Sequence, residues 1–374
     1  MSDASLLHST WAEVDLDAIR QNIRWFREHS QAQVMAVVKA NAYGHGIIPV
    51  ARTALQAGAT WCGVARLDEA LLLRQAGLDA PILTLGYTPP ARLEQAIVAG
   101  ISLTLWDERQ LEQAVAAAQR VGMDARLHLK VDTGMSRLGI QPEAASHLAR
   151  RIARTRRVIF EGLFTHFARA DERDPLPTDQ QQQRFEDVLR ALEREGLRPP
   201  WVHAANSAAG LTRPSAHYDL IRVGIAMYGL HPSGECPLPQ GFRPALTWKA
   251  VLSQVKLLPP GRGISYGHTY VTTRWERIGT VPVGYADGFR RVERNWVLVG
   301  GRRVPVVGRV CMDQLMVQLD EAPQARAGDE VVLIGAQGEE RLPAEELGRR
   351  WGTINYEVTC GIAGRVPRLY LNER

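Results

Sequence analysis

Apolar positions along this chain fall into two textures. Up to about residue 230, short apolar runs of strand length alternate with amphipathic segments rich in Ala, Leu and Arg. The runs are QVMAVVK (33–39), WCGVA (61–65), PILTLG (81–86), ISLTLW (101–106), ARLHLKV (125–131), VIFEGLFTH (158–166), WVHAAN (201–206) and YDLIRVG (218–224). The segments between them carry apolar residues at helical spacing, clearest in ERQLEQAVAAAQRVG and TDQQQQRFEDVLRALEREG. Both of these close on Gly, which adopts the left-handed conformation past a last helical turn without strain. Eight strand–helix units in about 200 residues predict a (β/α)8 barrel of the TIM type rather than an open doubly wound sheet.

The texture changes after the Pro/Gly-rich stretch HPSGECPLPQGFRP (231–244). Alternating Val, Leu, Thr and Tyr follow, broken by frequent turn residues, in LTWKAVLSQVKLL, RIGTVPVGYADGF, WVLVGGRRVPVVGRV and DEVVLIG. One helical pattern, AEELGRRWG, interrupts them. This predicts a mostly antiparallel β domain. The expected division is a barrel over 14–240 and a β domain over 241–374 together with 1–13. The segment WAEVDLD (11–17) reads as a strand that either domain could own.

Composition narrows the function classes. A chain of 374 residues has room for two domains, and 45% apolar with 23% charged residues is ordinary for a soluble protein. The net charge of +5 comes from arginines scattered as pairs, with no basic block and no interleaved aromatics. Solvated helix faces are expected, not nucleic-acid binding. Four cysteines without a CxxC point to reduced thiols and a cytoplasmic protein. The start MSDASLLHSTWAEVDLD has no basic-then-apolar pattern, so no signal peptide is expected, and no apolar run is long enough for a membrane span. No HExxH, P-loop or complete GxGxxG occurs, so neither a metal site nor a dinucleotide site is expected.

Of 45 basic residues, the lysines are Lys39, Lys130, Lys249 and Lys256; the rest are Arg. A guanidinium cannot be deprotonated in a protein, whereas a neutral amine can form a Schiff base or abstract a proton. Lys39 closes the first apolar run, within AVVKANAYGHG (36–46). Barrels present functional groups at the C-terminal ends of their strands. Those ends hold Lys39, Leu85, Lys130, His166, Asn206 with Ser207, and Arg222 followed by Gly224 and Ile225. The last two loops are where barrels bind phosphate, and Ser207 with the Gly224–Ile225 amides supplies donors there. A Schiff-base lysine and a phosphate cradle on one face suggest pyridoxal 5′-phosphate.

These residues lie in segments that resemble a known family. VVKANAYGHG, KVDTGMSRLG, HAANSAAG, IRVGIAMYG, ISYGHTY, VGYADGFRR and GRVCMDQ are similar, in order and across nearly the whole chain, to the landmarks of the alanine racemases. The resemblance implies a homodimeric isomerase that interconverts L- and D-alanine by two bases on pyridoxal phosphate. Lys39 carries the cofactor and serves as one base, and Tyr266 of a second copy serves as the other. His166 and Arg222 stand behind the tyrosine, and Arg222 faces the pyridine nitrogen. Tyr43, Asn206, Ser207, Gly224, Ile225 and Tyr356 belong to the cofactor site, the phosphate being held by Tyr43, Ser207, Gly224, Ile225 and Tyr356. Arg137 contacts cofactor and substrate carboxylate, and Met312 contacts substrate. Lys130 is expected to carry a carbamate that fixes Arg137.

Plainer readings stand beside these. The same scaffold could racemise serine, lysine or a broader set of amino acids. A non-catalytic pyridoxal phosphate carrier is disfavoured by the β domain. Both cell-wall synthesis and D-alanine breakdown stay open. Residue by residue, His45 reads as loop-structural, Leu85 as packing, Cys311 as a small apolar residue, and Lys249 and Lys256 as surface lysines. Arg222 could pair with Asp219, and Lys130 with Asp132.

Overall fold

The computed structural model describes residues 7–373; residues 1–6, grouped above with the β domain, and Arg374 lie outside the described residues. Two compact units result. One comprises Ala18–Ala42 and Gly46–Arg243; the other comprises the chain up to Asp17, Tyr43–His45, and Pro244 onward. The first strand, β1 (Thr10–Asp15), belongs to the second unit.

The first unit is built on eight parallel strands: β2 (Gln33–Val37), β3 (Trp61–Val64), β4 (Ile82–Thr84), β5 (Ser102–Leu105), β6 (Ala125–Lys130), β7 (Val158–Phe164), β8 (Trp201–His203) and β9 (Leu220–Val223). They run in the order β8-β7-β6-β5-β4-β3-β2-β9, each hydrogen-bonded to the next. The remaining seam, between β9 and β8, is closed without a regular ladder. Asp219 N donates to Val202 O and Arg222 N to Ala205 O, both at 3.0 Å. The Asp219 carboxylate accepts the Val202 amide at 2.8 Å and pairs with Arg198 at 2.7 Å. This is the predicted (β/α)8 architecture as a nearly closed barrel.

Local chemistry explains the connecting helices. Asp107 caps Glu108–Val121 by accepting the Gln110 amide at 2.8 Å, satisfying one of the unbonded donors of a first turn. Gly122 then stops that helix in the left-handed region. Inside the barrel, Met35, Trp61, Leu83 and Leu220 form a buried cluster against which Leu85 and Trp201 pack. Leu85 is therefore a packing residue.

The second unit carries β1 with β10 (Leu246–Val251), β11 (Gln254–Leu258), β12 (Gly263–Ile264), β13 (Tyr270–Val271), β14 (Glu276–Val281), β15 (Trp296–Val299), β16 (Arg302–Val307), β17 (Leu315–Gln318), β18 (Glu330–Gln337), β19 (Glu340–Leu342) and β20 (Arg368–Leu371). The main sheet runs β11-β14-β17-β16-β15-β18-β10-β1-β20, with β19 beside β18. Only β1 and β20 pair in parallel within it; β1 is antiparallel to β10. Strand β10 alternates buried and half-buried positions, as a sheet with one wet face requires. Lys249 on that strand is not the surface lysine expected. Its amine lies 3.0 Å from both Glu13 and Glu330, with the side chain only 17% exposed. Strands β12 and β13 form a separate hairpin.

Closure at the β8–β9 seam leans on one carboxylate. Asp219→Ala leaves the Val202 amide without its side-chain partner and is expected to cost about 1–3 kcal/mol. Urea titration checks this: a lower midpoint with an unchanged slope is expected, and a wild-type midpoint would show that the seam does not need Asp219.

Candidate active site

Strand β2 delivers Lys39 onto an unusual turn. Ala40, Asn41 and Ala42 have φ between 52 and 54° and ψ between 46 and 52°, and Tyr43 continues at φ 52°. This is one turn of left-handed helix made without glycine, at a cost of about 1–2 kcal/mol per residue. Such strain persists only where neighbours over-determine it, and here they do. The Ala40 amide donates to Glu69 Oε1 at 2.6 Å, Ala42 N to Val38 O at 2.8 Å, and Ile47 N to Asn41 Oδ1 at 2.9 Å. The other Glu69 oxygen accepts the Ala65 and Arg66 amides at 2.8 and 3.1 Å, tying the turn to the end of β3. Within the second unit, a Cβ on Gly44 would sit 2.1 Å from the Thr359 carbonyl oxygen, at φ +86°, so only glycine fits there. His45 is buried and its Nδ1 lies 3.0 Å from the Tyr43 carbonyl, a loop-structural place.

The barrel gathers cations around one imidazole. Arg222, 3% exposed, donates Nη1 to His203 Nδ1 at 2.9 Å, and the two hydrogens of Nη2 are shared among the Thr165 and Ala204 carbonyls and His166 Nδ1 at 2.8–3.1 Å. Asp219 pairs with Arg198 instead, so the alternative pairing of Arg222 with Asp219 does not occur. All these bonds use the terminal nitrogens. Burial, then Arg222, Lys130, Arg137 and Lys39, hold the His166 imidazolium far below the usual histidine range, so the ring is neutral at pH 7. With Arg222 donating to Nδ1, the His166 proton sits on Nε2.

Lys130 ends β6 and is 4% exposed. Its ammonium is 5.3 Å from the Phe164 ring centroid. Burial, then Arg222 and Arg137, push its pKa from 10.5 down to about 8, with Lys39 adding and Asp132 opposing. Asp132 accepts the Gly134 and Ser136 amides at 3.0 Å, shaping the loop that leads to exposed Arg137. Beyond the end of β8, Asn206 accepts the Ala209 amide at 3.0 Å, and Ser207 Oγ accepts the Gly224 amide at 2.9 Å, just before the turn Ile225–Tyr228.

The other sequence-derived site residues belong to the second unit. The Tyr43 and Tyr356 rings stand 6.0 Å apart, and burial, then Tyr356, raises the Tyr43 phenol pKa. Tyr266 lies at the tip of the β12–β13 hairpin, 70% exposed, and Met312 is 53% exposed; both line one hollow with His268 and Asp313. Cys311 in that hollow is only half-buried. The structure thus brings Lys39, Lys130, Arg137, His166 and Arg222 into one electrostatic neighbourhood, and sets Tyr43 against Tyr356. Sequence reasoning missed Glu69, Asn41 and His203. His203 was legible as a polar residue inside the apolar run WVHAAN; Glu69 had no local signal beyond its place in the first turn of the helix Leu67–Gln75.

Residues 14–232 match the family profile described as alanine racemase, N-terminal domain, and residues 245–370 match its C-terminal domain. The chain belongs to the alanine racemase family. An alanine racemase of Symbiobacterium thermophilum is 49% identical over 374 residues and 99% of each chain; one of Desulfovibrio desulfuricans is 45% identical over 96% of this chain and 98% of its own. The solved alanine racemase of D-cycloserine-producing Streptomyces lavendulae superposes with a TM-score of 0.93 at 43% identity, covering 97% of both chains. Alanine racemases are pyridoxal phosphate enzymes, and this family membership agrees with an amine-bearing lysine on a strained turn.

The strain in that turn is testable. Ala40 is exposed, so its methyl contributes little packing. Ala40→Gly removes the left-handed penalty, offset in part by the entropy of an unfolded glycine, and is expected to stabilise by about 0.5–1 kcal/mol. Thermal unfolding reads the sign, and a destabilised variant would show that the turn is not strained at Ala40.

Proposed function

We propose that this chain is a cytoplasmic, homodimeric pyridoxal phosphate enzyme that interconverts L- and D-alanine, with Lys39 and Tyr266 as opposed bases. The observation that carries it is the pairing of Lys39, on its locked turn, with a donor-only Arg222 that has histidines and carbonyls, not a carboxylate, around it. The residues fit the cofactor. Lys39 would supply the amine, and Ser207, Gly224, Ile225, Tyr43 and Tyr356 would hold the phosphate, with Asn206 shaping that loop. Arg222, which can only donate, would offer an N–H to the ring nitrogen. Pyridoxal phosphate, when bound, provides an aldehyde for the amino group and an electron sink for the α-carbon.

The chain's own groups do the rest. Racemisation removes a proton from one side of the α-carbon and returns it on the other, so two opposed bases are needed. Lys39 serves one face. A phenol with an ordinary pKa near 10 is a poor base partner at neutral pH, and neutral His166, with its proton on Nε2, is a donor that stabilises the Tyr266 oxygen as it loses its proton. Arg137 receives the substrate carboxylate, and Met312 of a second copy completes the substrate pocket. The high exposure of Tyr266 and Met312 supports their presentation to that second copy. Among the described residues no helix is long and apolar enough to cross a membrane.

A panel of L-amino acids scored for enantiomer exchange tests the reaction: alanine is expected to exchange fastest, and no exchange of any amino acid would overturn the reading. Sharing of sites is tested by mixing two nearly inactive variants, Lys39→Ala and Tyr266→Phe. Heterodimers then contain one intact site, and activity returns. If subunits demonstrably exchange and no activity returns, Tyr266 does not act across a dimer.

Lys130 is proposed to take up CO2, its neutral amine forming a carbamate with release of one proton, and so turn a repelled cation into an anion that holds Arg137. Its depressed pKa supports this, because only the neutral amine reacts. Lys130→Ala is expected to lose about 10–100-fold in kcat, with partial recovery in acetate. The sign of the pH effect also follows. Without CO2 the folded amine titrates near 8 and the unfolded one near 10.5, so the unfolded state holds more protons in that window and stability rises with pH across it. Denaturant midpoints in CO2-free buffer check this; a midpoint flat in Lys130 dependence from pH 8 to 10.5 sinks the depressed amine.

A further inference from the structure

Three polar residues interrupt the apolar barrel strands and take no part in the proton transfers proposed above. They are His128 on β6, Glu161 on β7 and His203 on β8, and all are buried. They form one hydrogen-bonded line that starts at Arg222. Arg222 Nη1 reaches His203 Nδ1 at 2.9 Å, His203 Nε2 reaches His128 Nδ1 at 3.0 Å, and His128 Nε2 reaches Glu161 Oε2 at 3.2 Å. Ser102 Oγ donates to the same oxygen, and Oε1 accepts from half-exposed Arg126 at 3.0 Å.

Donor and acceptor capacity sets every proton along this line. A guanidinium only donates, so His203 Nδ1 accepts and its proton is on Nε2. That proton points at His128 Nδ1, which must accept, so the His128 proton is on Nε2 and is given to the carboxylate. Burial, then Arg222, holds the His203 imidazolium far below the usual range, in keeping with a neutral ring. Burial disfavours a charged Glu161, but its bonds to His128, Ser102 and Arg126 prevail and hold its pKa below the usual carboxylate value. The line therefore runs from an anion to a cation through two neutral imidazoles of fixed tautomer.

The backbone is shaped to allow it. Along β6 and β7, Leu127 faces Phe160 but His128 faces Gly162, so Glu161 is an extra, bulged residue. Bulges are rare between parallel strands and re-aim a side chain; this one turns a carboxylate into the barrel. A Cβ on Gly162 would lie 2.1 Å from His128 Nδ1, so a glycine is needed to seat the ring. His203 is further held by stacking on Phe164, at 4.7 Å and 7°.

We infer that Glu161, acting through His128 and His203, is the remote counter-ion that positions Arg222. A carboxylate in direct contact would stabilise the guanidinium too, but it would compete with any acceptor that a bound cofactor offered to Arg222. Two imidazoles carry the stabilisation inward while keeping the anion at the far end of the line. Glu161, His128 and His203 are positioning residues; the bonds polarise one another, which strengthens each.

Selective 15N-histidine labelling of the holoenzyme tests this without relying on turnover. Both ring signals are expected to report protons on Nε2, with Nδ1 unprotonated. The second arm rests on the racemase reading: Glu161→Gln keeps the shape, removes the charge, and is expected to lower kcat about tenfold with KM unchanged, while moving the His203 ring signals. A residue that merely filled space would lower only the melting temperature. A His128 or His203 ring protonated on Nδ1, or a folded Glu161→Gln enzyme with wild-type kcat, overturns the assignment. Loss of all exchange activity in the wild-type protein would instead count against the racemase reading and leave the tautomer result standing.

Discussion

A buried guanidinium must be satisfied here without an adjacent carboxylate, and much of the barrel is arranged around that constraint. Stripping a cation of water costs several kcal/mol even after relaxation. Arg222 recovers this through two carbonyls and two imidazoles rather than an ion pair. The carbonyls of Thr165 and Ala204 point at it from just beyond β7 and β8. Ala204 O is thus engaged by the side chain, next to the seam where β8 and β9 make no regular ladder and where Asp219 and Arg198 supply the bonds instead. The same guanidinium fixes the tautomer of His166 on one side and of His203 on the other. One residue's solvation problem therefore sets the proton inventory of the whole centre.

Repulsion does as much as attraction. Lys39, Lys130, Arg137 and Arg222 all bear on His166, and three of them bear on Lys130. Like charges at this density are unfavourable unless anions arrive or protons leave. Protons do leave: His166 is neutral and the Lys130 amine titrates within reach of physiological pH. What remains is a positive field suited to anions. The crowding of cations is a cost that a bound anion would offset.

The sequence made the fold legible because its two hydrophobic textures are pure. Eight buried parallel strands need apolar runs, and a half-wet antiparallel sheet needs alternation; the change at 231–244 separates them. The charged centre was legible where a polar residue ends a run, as with Lys39, Lys130, His166 and Arg222. It was illegible where the chemistry is set by three-dimensional neighbours. Glu69 stabilises a turn 29 residues away in sequence, and Lys249 is drawn in by one glutamate on each flanking strand, Glu13 and Glu330. Glu161 sat in plain view inside VIFEGLF, but its meaning depends on a bulge that periodicity does not reveal. Four consecutive non-glycine residues in the left-handed region run against every local propensity, so no reading of propensity finds them.

Each proposed base stands at such a place in its own unit. Lys39 immediately precedes the left-handed turn, and Tyr266 sits between Ser265 at φ 63° and Gly267 at φ 74°, with His268 at φ 47°. That second turn is pinned as the first is: Ser265 Oγ donates to the Arg309 carbonyl at 2.5 Å, and the Gly267 Cα approaches so near the Arg309 side chain that a Cβ would meet Nη1 at 2.9 Å. A base that must reach one face of a single carbon has to be aimed to a fraction of an ångström, and long, flexible loops cannot do that. A short turn held in a costly conformation by several bonds can, because it has few alternatives close in energy. The strain at the two bases is thus the local consequence of positioning them, and it explains why the residues flanking them, rather than the bases alone, carry the recognisable pattern.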